Sequence, residues 1–419
     1  MLKFCWETEF KETEIGEIPR DWEVRKIKEF YDLKYGITVS SSDYGNCRLL
    51  RQTDVKEGFI DISSIPYALC EIDKISKYLL IEDDLVISRI ANVGSVGYVN
   101  ATILKAMDKP LVFGSYLLKF EKKREINNKF TFYFLSSPQL QNYIRSIAEG
   151  STRQNTNAKV VGEFPLFLPP IPEQSRIATV LSWFDDLIEV KKKQNEILEK
   201  TAMAIFKSWF IDFEPFKDEE FVYNEELGRE IPKGWEVKRV EEDWEIIKGK
   251  KCCLSDVYNE GHNPYLVIET FKTGKVEFWT KEKEPCVEEN DTVLVADGES
   301  SGKILRYQKG ILGSTLLTLK TKKRNSSLLK HFLYLTLKFY EGEIMSHRTG
   351  SAIPHLDKEY LKNFPLLLPP PPILQSFHSL VEPLFQKIIL NQKQIMTLRK
   401  IRDALLPLLV FGKLRVEEI

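Results

Sequence analysis

Two heptad-patterned stretches, Pro172 to Phe210 and Pro372 to about Leu409, constrain this chain more than any other feature, and each is opened by a nearly identical proline-rich run. The first run is Phe164-Pro165-Leu166-Phe167-Leu168-Pro169-Pro170 and the second Phe364-Pro365-Leu366-Leu367-Leu368-Pro369-Pro370. In the first helix Ile177, Leu181, Phe184, Ile188, Lys191, Asn195, Leu198, Ala202 and Ile205 step by four and three. In the second the same steps give Phe377, Val381, Leu384, Ile388, Asn391, Ile395, Leu398, Arg402 and Leu405. Alternating steps of four and three mark the a and d rows of a coiled coil, where a slightly underwound helix keeps one face on its partner. At about 1.5 Å per residue a helix of roughly 36 residues is near 54 Å long, more than one small domain needs to cover itself. The two helices are therefore read as each other's partners, with Lys191, Asn195 and Asn391 weakening the seam but fixing its register.

The rest of the chain is duplicated too. Ile18-Pro19-Arg20-Asp21-Trp22-Glu23-Val24 returns as Ile231-Pro232-Lys233-Gly234-Trp235-Glu236-Val237. Asp84-Leu85-Val86-Ile87 returns as Asp291-Thr292-Val293-Leu294, Gly114-Ser115 as Gly313-Ser314, and Gly150-Ser151 as Gly350-Ser351. Such periodicity means repeated supersecondary units. Strands are expected over Leu85–Ile90, Val96–Val99 and Tyr116–Phe120, and over Tyr265–Thr270, Thr292–Ala296 and Ser314–Leu319; helices are expected over Lys129–Ala148 and Leu328–Met345. The layout is globular (1–170), long helix (171–212), globular (213–370), long helix and tail (371–419). The fold class is α+β: two mixed α/β domains separated by an antiparallel two-helix coiled coil, with an internal pseudo-two-fold repeat.

Composition excludes several classes. With 43% hydrophobic and 29% charged residues the chain can bury real cores, and a net charge of −1 supplies no bulk attraction for a polyanion, so a basic face must be built by folding. No apolar run approaches a membrane span and the N-terminus lacks a secretory layout, so the cytoplasm is expected. The six cysteines include no C-x-x-C and are read as buried or free thiols.

Catalytic signals fail one by one. Gly298 to Ile304 imitates a P-loop but has three residues between its glycines and Ile in place of the magnesium-binding hydroxyl. Gly94-Ser95-Val96-Gly97 reads as a hairpin turn, not a dinucleotide fingerprint. All five histidines lie in the second half, which does not fit chemistry shared by both copies. No catalytic residue, metal or cofactor is expected. What remains is a set of polar, glycine-punctuated loops at matching places. Arg89, Asn92, Ser95, Arg153, Gln154, Asn155 and Asn157 lie in the first copy; Lys248, Lys250, Lys251, Ser300, Ser301, Lys303 and Arg348 lie in the second. Arg, Lys, Asn and Gln match guanine and adenine edges, while Ser and backbone amides suit phosphate, which makes these residues candidate DNA contacts.

The Ile-Pro-x-x-Trp-Glu-Val opening, the Phe-Pro-Leu-x-Leu-Pro-Pro run before a long helix, Pro169-Pro170-Ile171-Pro172-Glu173-Gln174, and the repetition after about 200 residues resemble the DNA specificity subunit of type I restriction-modification enzymes. The resemblance covers nearly the whole chain. It implies two target-recognition domains, each reading half of a bipartite site in double-stranded DNA. It also implies helices that set the spacer and dock two modification (methyltransferase) subunits, with restriction (endonuclease/translocase) subunits joining through the complex. Glu173-Gln174 has no counterpart at Ile373-Leu374, so docking at the second helix is expected to differ in detail. The alternative is a two-headed protein scaffold on a coiled-coil rod that reads no DNA.

Overall fold

The computed structural model describes residues 2–56, 58–90, 93–149, 156–322, 327–350 and 354–418. Two compact units emerge, Met1–Asp186 with Arg399–Ile419, and Leu187–Leu398. Both are mixed α/β, and each contains part of each long helix.

In the first unit the main strands are β1 (Tyr31–Tyr35), β2 (Cys47–Leu50), β3 (Leu85–Ser88), β4 (Val96–Tyr98), β5 (Leu111–Phe113) and β6 (Leu117–Lys122). An antiparallel sheet has the order β4-β3-β6-β1, and a smaller one pairs β5 parallel to β2 and β2 antiparallel to Tyr67–Ala68. The second unit repeats the plan with β7 (Trp244–Lys248), β8 (Asn263–Leu266), β9 (Val293–Val295), β10 (Ile304–Leu305), β11 (Gly310–Leu312) and β12 (Leu316–Thr321). Its sheets run β10-β9-β12-β7 and, with β8 parallel to β11, Phe278–Thr280, β8, β11, Cys286–Val287. One glycine pair shows why the duplication is visible in the sequence. A Cβ on Gly36 would lie 2.3 Å from the Gly114 carbonyl oxygen, and one on Gly249 2.1 Å from that of Gly313. Both crossings of the two sheets therefore demand a residue without a side chain.

Differences from the sequence reading have local causes. The strand expected to Thr270 stops at Leu266, because Val267 caps a helix, Ile268–Thr273, that ends on Gly274 at φ +74°. Each expected single helix is two: Asn128–Leu135 and Pro138–Glu149, and Ser327–Phe339 and Glu341–Ser346. Pro138 lacks the N–H that would continue the first. The Gly94 loop is a hairpin, with Ile87 opposite Val96.

The long helices run Ile171–Phe210 and Pro371–Val410. Of the seam residues, Ile177, Leu181, Ile188, Phe377, Val381, Ile388 and Ile395 are buried; Phe184, Leu198, Ile205, Leu384, Leu398 and Leu405 are half-buried. Pairing is antiparallel. In the second unit the Asn391 side-chain amide donates to Asn195 Oδ1 at 2.8 Å and Lys191 Nζ to Gln394 Oε1 at 2.5 Å; in the first, Arg402 Nη1 donates to Asp185 Oδ1 at 2.6 Å. Arg399, whose charge suits an outer face, is instead half-buried. The helices also enter the unit cores. Ile177, Val180 and Leu181 pack in one apolar cluster with Leu406, Leu409 and Phe411, and Phe206 and Phe210 in another with Phe332, Phe377 and Phe385.

The ends of the chain meet in the first unit, where Leu2–Trp6 pairs antiparallel with Leu414–Glu418. Arg415 locks the junction, donating to both Glu173 oxygens at 2.6 and 2.8 Å, to Glu7 at 2.7 Å and to Asp21 at 3.0 Å. Gln174 donates to the Pro169 carbonyl at 2.9 Å and accepts the Asn127 N–H at 3.1 Å. Glu173 and Gln174 are both buried.

In the second unit a polar network lies under the second long helix. Arg306 donates to His331 Nδ1 at 2.9 Å; a guanidinium only donates, so the ring hydrogen sits on Nε2 and is given to Glu382. His378 Nε2 lies 3.7 Å from the same carboxylate oxygen. These three residues bring metal-ligand-type atoms within 4.8 Å, but a cation at His331 Nε2 would have to displace the hydrogen that Arg306 keeps there. Burial, reinforced by Arg306, pushes the His331 imidazole down to about 3.

Asn391→Ala leaves Asn195 buried without its donor and is expected to cost about 1–3 kcal/mol, whereas Asn195→Leu with Asn391→Leu restores or raises stability; urea midpoints decide, and equal losses in both chains would remove the pair's role. His331 resists protonation when folded but accepts it near its ordinary pKa of about 6.5 when unfolded, so its stabilisation is present above pH 6.5 and lost as pH falls toward about 3. The expected slope is at most about 1.4 kcal/mol per pH unit. Melting temperature followed from pH 7 to 5 should fall less steeply in His331→Gln; an unchanged slope refutes the assignment.

Candidate nucleic-acid interface

In both units, backbone hydrogen bonds bring together loops that are distant in sequence. In the first, the Thr156 N–H donates to the Arg89 carbonyl at 2.9 Å, which joins the loop after β3 to the segment before the helix Ala158–Gly162. In the second, the Leu356 N–H donates to the Ala296 carbonyl at 2.9 Å and the Gly298 N–H to the Pro354 carbonyl at 2.9 Å. The loop after β9 and the one before Leu356 are joined in the same way. The end of the first strand of each main sheet completes each group: Tyr35 from β1 and Lys248 from β7.

The first-unit group is organised by Arg89. Its Nε donates to the Thr156 carbonyl at 3.3 Å and its Nη1 to the Ser115 carbonyl at 3.1 Å, and its guanidinium lies 5.1 Å from the centre of the Tyr35 ring. The Tyr35 hydroxyl accepts the Ala158 N–H at 3.1 Å. Arg89 thus holds three segments together, while Tyr35 and Tyr116 are exposed beside it. Ser95 is buried. Asn157 is exposed and caps its short helix, accepting the Val160 N–H at 3.0 Å. Asn92, Arg153, Gln154 and Asn155 lie outside the described residues.

The second-unit group is organised by a carboxylate. Asp297 accepts from Lys248 Nζ at 2.9 Å and stands 2.8 Å from His355 Nδ1. Burial pushes its carboxyl up, but hydrogen bonds from Lys248 and His355 outweigh that and hold it below the usual carboxylate range. Lys250 pairs with Glu282 at 3.0 Å. Arg348 is exposed and donates to the Glu299 carbonyl at 2.7 Å. Lys251 is exposed, Ser300 and Lys303 are half-buried, and Ser301 is fully buried. Among the described residues Lys251, Lys303 and Arg348 have no carboxylate within ion-pair distance.

Sequence reasoning placed Asp297 at the start of a polar loop but did not single out Tyr35, Tyr116 or His355. The duplication could have pointed to Tyr35, which stands one repeat offset from Lys248; nothing local marks His355. Chemically, the first group offers phenol and amide groups around the Arg89 guanidinium, and the second offers ammonium, guanidinium and imidazole groups, donor and acceptor types suited to duplex grooves and phosphates. Among the described residues no helix is long and apolar enough to cross a membrane.

Comparison with known proteins agrees with this architecture. The family model described as type I restriction modification DNA specificity domain matches residues 19–200 and 232–400. The type I restriction enzyme MjaIX specificity subunit of Methanocaldococcus jannaschii is 38% identical, over 100% of this chain and 99% of its own length. The MjaVIII specificity subunit of the same organism is 34% identical over 100% and 99%. The crystal structure of a type I restriction-modification system S subunit from M. genitalium shares the fold with a TM-score of 0.52 at 19% identity, covering 93% of this chain and 96% of that one. With both matched segments on duplicated units of one topology, the chain belongs to the type I restriction-modification DNA specificity family.

Proposed function

We propose that this chain is the non-catalytic DNA-recognition subunit of a type I restriction-modification complex and acts in the cytoplasm. Residues 1–170 and 213–370 each read one half of a bipartite site, and the helices within 171–212 and 371–419 set the spacer. One observation carries the reading: the same strand order holds two loop groups of different chemistry, one built on Arg89 and Tyr35, the other on Asp297 and Lys248. Equal scaffolds with unequal loops suit two different half-sites. Buried loop residues such as Ser95 and Ser301 serve loop shape, and exposed ones such as Lys251 and Arg348 serve contact. Two modification subunits dock on the long helices, where Trp183, Leu187, Val190 and Ile197 remain exposed on the first helix after the seam is filled. Restriction subunits join through that complex, and methyl transfer and cleavage belong to the partners.

Three measurements test this. In the complex with modification subunits, Lys251→Ala is expected to weaken binding without changing site preference and to reduce the salt slope by about one phosphate. Arg89→Ala is expected to relax the first half-site only, because the loop it holds loses its position; a change in the second half-site refutes this. Removing one heptad from both helices where Asn195 meets Asn391 shortens the pair by about 10.5 Å, close to three base pairs, while keeping knobs in holes. Sites selected by that variant should keep both half-sites and lose spacer length. Altered half-site bases, or an unchanged spacer, defeat the ruler; binding that ignores salt and sequence in the parent complex favours a protein scaffold.

A further inference from the structure

Equivalent corners of the smaller sheets are closed by different chemistry. In the second unit Asn263, at the start of β8, faces Thr280, and its side-chain amide donates to the Glu282 carbonyl at 2.9 Å. The parallel pairings of β2 with β5 and β8 with β11 make Leu50 equivalent to Leu266, and hence Cys47 to Asn263 and Cys70 to Glu282. At that corner of the first unit the Cys47 and Cys70 sulfurs are 3.1 Å apart.

The backbone holds them there. Cys47 faces Ala68 across the strand pair, and the Asn46 N–H donates to the Ala68 carbonyl at 3.1 Å. The Asn46 side chain donates to the Cys70 carbonyl at 2.7 Å and accepts the Cys70 N–H at 2.9 Å. The thiols therefore cannot drift apart, and only about 1 Å separates them from the ~2.05 Å of a disulfide. Three of the other four sulfurs point elsewhere: Cys5 to Glu417, Cys252 to the Lys250 carbonyl and Cys286 to the Val287 carbonyl.

We propose that Cys47 and Cys70 are a disulfide site that staples this corner of the first unit, formed by exchange with a low-molecular-weight disulfide. Cys70, the more exposed of the two, attacks as thiolate and releases one small thiol, leaving a mixed disulfide. Cys47 then loses its proton to solvent and attacks Cys70 Sγ, which expels the second small thiol. The protein dithiol loses two electrons and the small disulfide gains them. Burial and the Cys70 contact push the Cys47 thiol up to about 12, so closure is slow at neutral pH and faster as pH rises. The sequence reading of buried or free thiols matches the structure, and the proximity of this pair is not visible in the sequence because its members are 23 residues apart.

The test uses the full chain equilibrated in glutathione buffers of graded oxidised fraction, acid-quenched, denatured and alkylated before peptide mapping. Under oxidising buffers one cross-linked peptide joining Cys47 to Cys70 is expected, with the other four of the six cysteines recovered alkylated or as mixed disulfides with glutathione. The oxidised chain should melt several degrees higher than the reduced one, a difference that disappears in Cys70→Ser. Six alkylated thiols across the whole series, or a cross-link between other cysteines, overturns the proposal. Peptide mapping of the unaltered chain gives this answer even where the serine variant fails to fold.

Discussion

Both units depend on burying the apolar seam of the long helices, because those helices supply core as well as length. A globular unit of this size without its helix segments would leave its aromatic layer open: Phe206 and Phe210 pack against Phe332 and Phe377, with ring centroids 4.7 to 6.3 Å apart. The long helices are therefore anchored in the cores they carry. Within the second unit the seam turns polar, and Asn195 with Asn391 favours alignments that pair the two amides. Stability is given up for register.

Much of this was legible because it is periodic. Heptad steps and a 200-residue offset survive in the sequence because each repeat must satisfy the same physical demand, as Gly36 and Gly249 show. Contacts built across strands were not legible. Arg89 reads as an exposed reader until Thr156 and Ser115 are seen to occupy its guanidinium, and His331 reads as an isolated histidine until Arg306 and Glu382 decide its tautomer. Thr270 misleads for a different reason. Its β-branched side chain favours a strand, yet its hydroxyl accepts the Val267 N–H at 3.4 Å and belongs to a helix start. Tertiary context outweighs propensity there.

The imperfect match between the two proline-rich openings also has a physical cause. Glu173 and Gln174 serve a junction that only the first unit contains, where the strands from both ends of the chain pair and Arg415 must be neutralised. At the corresponding place in the second unit Leu374 is buried in an apolar cluster and no terminal strand needs a carboxylate. The departure from the repeat thus has a structural role inside the first unit.

Specificity can then change without the fold changing. The bonds that fix the loops are mostly backbone to backbone, such as Thr156 to Arg89 and Leu356 to Ala296, and they do not depend on which side chains the loops carry. Side chains at the tips are released from structural work wherever the backbone does it. Arg89, Asp297 and Arg348 are exceptions, since each uses its charge to hold a neighbouring segment. Substitution at those positions disturbs loop shape before it disturbs chemistry, whereas substitution at an exposed position such as Lys251 alters chemistry on an intact frame. A frame of this kind can change its loop chemistry one loop at a time, because neither the seam nor the sheets have to be rebuilt.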